Sequence, residues 1–287
     1  MRSTDNIPVL RRLWKQCFEA DSSFLDLFFG QGFRLCRTYT LEREGKTVSA
    51  LSVFPVSYKG HTGGYVYGVC TDPAQRGHGY AIKLLQEVEQ HCMENEGMEF
   101  FLLRPADPTL FGYYQKQGYS YNIYRHRETL PLPMIPAEIE TSPLSAVRYH
   151  SLRRRFYSGT GLVEWPEETC EYILSYIGYC RGHAVEINGG ESYLLSYPSP
   201  EDNGVIICEE AGLDIEMTSY RSFYQPSAFC IRILQASFYP LQHKTAEKST
   251  YFANHSRSYP TVPQSSVLRW SNTFHVEQLP AKIHKKY

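Results

Sequence analysis

Nowhere in the 287 residues do apolar side chains run uninterrupted for the roughly 18 positions that a membrane-spanning helix needs. The opening MRSTDNIPVLRRLWKQCFEA is charged throughout, where a secretory signal would have an apolar centre. Net charge is lacking as well. The formal value is −1 at pH 7, which gives no general attraction to nucleic acid or to an anionic membrane. The eight cysteines are scattered singly with no C-x-x-C, and no two of the ten histidines stand at the H-x-x-x-H spacing of a metal site. These absences lead us to expect a cytoplasmic protein with reduced, mostly buried thiols, no resident metal, and neither a membrane nor a nucleic acid as partner.

The sequence does have enough apolar content for real cores, 42% of residues, in a length that suits two ordinary domains. Leu10, Leu13, Trp14, Cys17 and Phe18 form one helical face, and Phe24 to Phe28 a second short helix that Gly30 should end. Two strands, RLCRTYTLE and KTVSALSVFPVSYKG, flank a turn at Gly45, and HTGG at 61–64 should turn the chain into the strand YVYGVCTD. A helix follows over 80–93, then the buried strand MEFFLLRP, the short helix PTLFGYYQKQG, and a last strand YSYNIYRHR.

The junction GVCTDPAQRGHGYAIKLL, Gly68 to Leu85, is richer than a turn requires. A helix start presents unpaired N–H groups and the positive end of the helix dipole, so Gly77 and Gly79 leave room for a phosphate there and Arg76 adds a fixed charge. Loops of this kind also serve dinucleotide sites, or merely close a turn.

The order of elements and two motifs resemble the GNAT superfamily of N-acetyltransferases over residues 1 to 126. Arg76, Gly79 and Ala81 match its Arg/Gln-x-x-Gly-x-Gly/Ala loop, and Tyr113 to Tyr119 (YYQKQGY) looks like its F-Y-x-K-x-G-F helix end. The flavour is closest to the tandem GNAT acetyltransferases of the enhanced intracellular survival type. The resemblance implies an α/β fold, a mixed and mostly antiparallel GNAT sheet flanked by helices, followed by a second, degenerate GNAT-like half. It implies acetyl-CoA as co-substrate, held by Val69, Cys70, Thr71, Arg76, Gly77, His78, Gly79, Tyr80 and Ala81, with backbone N–H of Val69 to Thr71 polarising the thioester carbonyl. His78 is expected at solvent or at a CoA phosphate, not as a base.

Acetyl transfer from a thioester to an amine needs a neutral amine, a polarised carbonyl and a proton for the departing thiolate. Tyr114 stands where the family's tyrosine faces the CoA sulfur, which makes it the catalytic acid, although one of 23 tyrosines can also simply pack a helix. Cys70 reads as a small buried hydrophobe and not as an acyl carrier. No general base stands out, because the positions where many relatives place a Glu hold Tyr65, Val66, Tyr67 and Gly68. A water chain, a carboxylate from elsewhere in the chain or, by analogy with the tandem group, the terminal carboxylate of Tyr287 would have to serve. Tyr65, Tyr67 and Phe54 are candidates to line an acceptor pocket, or else core residues.

Residues 1 to 130 are thus expected to be the acetyl-CoA-binding domain and 131 to 287 the second one. Helical patterns at 144–156 and 166–177 precede strands around Asn188-Gly189-Gly190, and no Gly-rich loop follows them, so this half reads as scaffold or substrate wall. From about residue 217 no period is sustained, and nine Lys or Arg stand against Glu247 and Glu277. Two functions follow: an N-acetyltransferase acting on a small-molecule or peptide amine, or a non-catalytic acyl-CoA-binding or scaffold protein, which the missing base would suit. Aminoacyl transfer from tRNA is disfavoured by the neutral charge balance.

Overall fold

Alternating burial along residues 37–71 builds three antiparallel strands around two tight turns, and everything that positions the cavity hangs on them. A computed structural model describes residues 1–18, 20–106, 108–119, 121–131, 141–157, 163–198, 205–211, 221–233 and 266–270. The first half runs β1 (Arg2–Ser3), α1 (Ile7–Phe18), α2 (Ser22–Leu27), β2 (Arg37–Arg43), β3 (Lys46–Tyr58), β4 (His61–Thr71), α3 (Tyr80–Glu96), β5 (Phe100–Leu103), α4 (Phe111–Gln115) and β6 (Tyr121–Pro131). The second runs β7 (Thr141–Pro143), α5 (Ala146–Tyr157), α6 (Glu167–Tyr179), β8 (His183–Ile187), β9 (Ser192–Pro198), β10 (Val205–Ala211), β11 (Arg221–Ile233) and β12 (Ser266–Trp270). No described helix is long and apolar enough to cross a membrane.

The strands form one mixed sheet in the order β1-β2-β3-β4-β5-β11-β6-β12-β10-β9-β8-β7. Among the described strands only the β4–β5 and β10–β12 pairings are parallel. Residues 221–233 and 266–270, where the sequence shows no sustained period, are therefore strands. β11 sits between β5 and β6, and its register on β6 shifts between Gln225 and Phe229, the interval that holds Pro226.

Two expectations about glycines are corrected. HTGG is not a turn: the chain reverses at Lys59–Gly60, and Gly63 and Gly64 lie inside β4. A Cβ on Gly63 would fall 2.4 Å from the Phe100 ring, and one on Gly64 2.6 Å from Phe101, so both residues make room for the aromatic side chains of β5. Gly30 does not end the second helix either. The chain continues through a π turn at Phe28–Gly32 and a 3-10 turn at Phe33–Leu35, because Phe28 and Phe29 go on burying their rings against Trp14, with centroids 4.3 and 5.4 Å away.

One core joins the two halves on the α1 side of the sheet. Phe54 and Tyr65 pack edge-on against Trp165, Phe28 approaches Tyr172, and Tyr179 Oη donates to Asp21 Oδ2 at 2.6 Å. On the opposite face α3 buries Leu84, Leu85, Val88 and Cys92 against Val53, Val66, Phe101 and Leu103.

Candidate functional site

The cavity exists because β4 leaves β5 halfway along. Ala50 pairs with Cys70 and Ser52 with Tyr67, so Gly68 and Val69 together face Leu51 in a β-bulge, with Gly68 at φ 62°. The parallel β4–β5 ladder runs from Gly63–Phe100 to Val66–Leu103 and stops there. Beyond it the end of β4 borders a cavity of about 270 Å³ whose wall is mostly apolar. That end is pinned from the other side: Ser49 Oγ donates to the Cys70 carbonyl at 2.7 Å, and the Asp72 N–H to the Val48 carbonyl at 2.9 Å.

The loop after β4 is equally determined by local chemistry. Asp72 caps a 3-10 turn over Pro73–Gln75 by accepting from the Ala74 N–H at 2.9 Å, and Arg76 Nε reaches back to the Thr71 carbonyl at 3.4 Å. Gly77 and Gly79 take φ of 83° and 72°, conformations that cost other residues about 1–2 kcal/mol. A Cβ on either would meet nothing within 4 Å, so both stand at open space beside the cavity. The first helical bond of α3 runs from the Lys83 N–H to the Gly79 carbonyl at 3.0 Å. That leaves the N–H groups of Tyr80, Ala81 and Ile82 without a helical acceptor, with no side-chain cap and no acidic residue in the first turn. A dianionic phosphate group fits such a place by charge, by donor supply and by space.

On the far side, α4 contributes Tyr114, which is buried and lines the cavity. Its ring meets Tyr119 edge-on at 5.8 Å and Tyr113 at 5.2 Å, and its carbonyl accepts from the Gln117 and Tyr119 N–H groups at 2.9 and 3.1 Å. Tyr119 is fixed in turn by donation to the buried Glu89 Oε1 at 2.5 Å.

Of the residues singled out from sequence, Val69, Cys70, Thr71, Arg76, Gly77, Gly79, Tyr80, Ala81 and Tyr114 all line this one cavity. His78 does not. It is exposed, with Nδ1 3.0 Å from the Arg76 carbonyl and its ring stacked on Tyr80 at 5.4 Å. Tyr65, Tyr67 and Phe54 are core residues, and burial raises both phenol pKa values above the ordinary range. Tyr287 lies outside the described residues. The described lining holds no carboxylate and no histidine.

Sequence reasoning missed Cys17, Phe18, Gln75, Ile82, Leu85, Leu110 and Tyr113, which complete the wall. Cys17 and Phe18 were legible as the apolar face of α1, but nothing in that periodicity says that the last turn opens onto a cavity. Cys17 and Cys70, remote in sequence, meet here. Cys17 Sγ donates to the Thr71 carbonyl at 3.2 Å, and its pKa is lowered chiefly by a hydrogen bond with Cys70, then by the charge of Arg76. Burial, and then the Cys17 side chain, push Cys70 well above the usual thiol range.

Residues 3–122 match the family model of the acetyltransferase (GNAT) domain. A sequence comparison with curated proteins gives no match. By structure the chain is similar to a protein from Enterococcus faecalis described as a probable N-acyltransferase, with 12% identity, TM-score 0.63, and coverage of 81% of this chain and 71% of that one. It is similar to a GCN5-related N-acetyltransferase from Anabaena variabilis, with 16% identity, TM-score 0.60 and the same coverages. It is also similar to Eis1 from Mycobacterium abscessus, with 10% identity, TM-score 0.58, and coverage of 81% and 72%. At these identities the likeness is one of fold, and it spans more of the chain than the matched domain does.

Proposed function

We propose that the protein, whose residues 3–122 match the family model of the GNAT acetyltransferase domain, transfers acetyl from acetyl-CoA directly to a primary amine of a small molecule or peptide. The observation that carries this reading is the convergence on one cavity of an uncapped helix N-terminus, the unladdered end of β4 and the buried Tyr114. The N–H groups of Tyr80, Ala81 and Ile82, with Arg76, hold the pyrophosphate. The backbone of Val69 to Thr71 faces the thioester arm and polarises its carbonyl, and Tyr114 supplies the proton that the departing thiolate takes up. Water in the cleft takes up the proton of the attacking amine. Residues 1–130 act as the catalytic domain, and the second half as a scaffold that seals the α1 face and borders the acceptor. The exposed Gly77 and Gly79, with open space where a side chain would stand, support a cleft over a closed structural turn.

Two measurements test it. Calorimetric titration with CoA should show binding to the wild type, at least tenfold weaker binding to Gly79→Ala, and a smaller loss in Arg76→Ala, because there the backbone donors remain. Thiol release from acetyl-CoA across a panel of amines should show turnover with at least one. Binding of CoA without turnover on any amine would favour the scaffold reading, and equal affinity in all three proteins would remove the loop from the site.

A further inference from the structure

The guanidinium carbon of Arg43 lies 5.5 Å from the centre of the Tyr80 ring, and the His78 ring stacks on that same ring at 5.4 Å with 12° between the planes. Two separate segments, the end of β2 and the loop before α3, thus meet on one side chain. The chain of support is explicit. His78 Nδ1 stands 3.2 and 3.0 Å from the Gln75 and Arg76 carbonyls, which can only accept, so Nδ1 carries the hydrogen and the imidazole is tied to the loop. The tied imidazole braces the Tyr80 ring, and the ring holds the guanidinium, whose N–H groups a cation–π contact does not use. Arg43 is exposed, and among the described residues it has no carboxylate partner, its hydrogen bond to the Glu42 carbonyl being a long one of 3.5 Å. Lys83, on the first turn of α3, differs in having Glu87 3.9 Å from its Nζ. Tyr80 itself is the first residue of α3 and lines the cavity, so this stack stands at the rim of the place that the uncapped N–H groups make for a phosphate.

The cavity measures about 270 Å³, less than the roughly 300–1,000 Å³ of pockets that enclose a drug-sized ligand, and CoA is larger than such ligands. With the pyrophosphate at the start of α3 and the thioester arm along the end of β4, the nucleoside end lies outside, across the rim. That end bears a 3′-phosphate a few bonds from the pyrophosphate, a monoester with a charge of about −1.5 to −2 at neutral pH. We propose that Arg43, positioned by the Tyr80 and His78 rings, binds this 3′-phosphate, so that the site selects CoA over 3′-dephospho-CoA. The inference rests on the acetyl-CoA reading of the cavity and adds to it a second anion contact from a different part of the fold. The two arginines divide the ligand: Arg76, in the cavity wall with Nε on the Thr71 carbonyl, serves the pyrophosphate, and Arg43, outside the wall, serves the monoester. A guanidinium suits that task because its planar fork can give two parallel hydrogen bonds to one phosphate while its face stays on the tyrosine.

Calorimetric titration of the full-length protein with CoA and with 3′-dephospho-CoA tests this contact. Wild type should bind CoA about tenfold more tightly or better, the worth of a hydrogen bond between charged groups. Arg43→Ala and Arg43→Gln should bind the two ligands alike, with the affinity for dephospho-CoA still that of wild type. Tyr80→Leu keeps the arginine and removes the ring that positions it, so the ratio of the two affinities should fall part of the way. Arg37→Ala removes an exposed cation from the other end of β2 and should keep the full ratio, which separates a local contact from the effect of net charge. Equal affinities for the two ligands in wild type, an unchanged ratio in either Arg43 variant or in Tyr80→Leu, or an equal fall in Arg37→Ala would each overturn this proposal and leave the acetyl-CoA reading in place. Binding of neither ligand by wild type would overturn both.

Discussion

The indole ring of Trp14 lies against Gly68 so closely that a Cβ added there would come within 2.5 Å of it. This contact joins α1 to the bulge in β4, beyond which the β4–β5 ladder has ended. Gly68→Ala would meet two costs, about 1–2 kcal/mol for a side chain at positive φ and about 1–3 kcal/mol for crowding a packed core. We expect a loss of about 2–5 kcal/mol in urea unfolding. A stability within 0.5 kcal/mol of wild type, roughly the scatter of surface substitutions, would show that the bulge is not held by this contact.

The bulge also shows where sequence reasoning works and where it stops. The periodic face of α3 and the glycines that precede it were readable because helix spacing and helix-start chemistry are local. Gly63 and Gly64 were misread as a turn for the same reason: locally, glycine pairs do favour turns. The rings of Phe100 and Phe101 that demand them come from a strand about 37 residues later. The meeting of Cys17 with Cys70 is non-local in the same way. β11 was invisible because its partners β5 and β6 stand about 100 residues or more earlier in the sequence, and Pro226 within it argues against a strand unless a bulge is known to be there.

The second half has its own buried polar centre. Glu209 on β10 accepts from Tyr149 Oη at 3.1 Å, Tyr193 Oη at 2.6 Å and Arg153 Nε at 3.3 Å, while Arg153 Nη1 donates to the Val163 carbonyl at 2.9 Å. Both charged side chains are almost fully buried, and Arg153 is held in its charged form against desolvation by Tyr149 and Glu209. Removing one partner of such a pair costs about 3–5 kcal/mol. Glu209→Ala should therefore lose that much stability in chemical denaturation. At a temperature where the variant remains folded, its CoA affinity should match wild type, since the described lining of the cavity comes from residues 17 to 114. A weakened affinity in the folded variant would make the second half part of the cofactor site.

Alkaline pH should destabilise the protein through its buried thiols and phenols. Cys36 and Cys170 are raised to about 12 and Cys92 to about 11, in each case first by burial, and Tyr67, Tyr172 and Tyr193 are raised well above 10 for the same reason. In the unfolded chain thiols ionise near pH ~8.5 and phenols near ~10. Between those values and the folded ones the unfolded state holds fewer protons, so stability is complete below about pH 8.5 and falls as pH rises. Thermal unfolding followed from pH 8 to 11 should show a steadily falling Tm, with a shallower slope in Cys36→Ala. A flat profile would mean that these groups are solvated in the folded protein.

Tyr114→Phe removes one hydroxyl from a ring already fixed edge-on against Tyr113 and Tyr119, so its effects separate chemistry from packing. If the phenol protonates the departing thiolate, CoA affinity and Tm should stay near wild type while kcat falls by about 10²-fold, the lower end for general acid catalysis. The lower end is expected because CoA's thiol ionises near pH ~8.5, like an ordinary thiol, and its anion leaves tolerably without help. For the same reason the deficit has a direction in pH. Below the thiol's pKa the departing sulfur gains from a proton and the variant is slow, whereas above it the thiolate is stable in water and the two proteins converge. A series of kcat measurements from pH 6.5 to 9.5 reads this directly, using whichever amine shows turnover. A loss that is constant across the series and accompanied by an equal loss of CoA affinity would assign Tyr114 to packing alone, and would leave the cavity with a cofactor cradle and no acid.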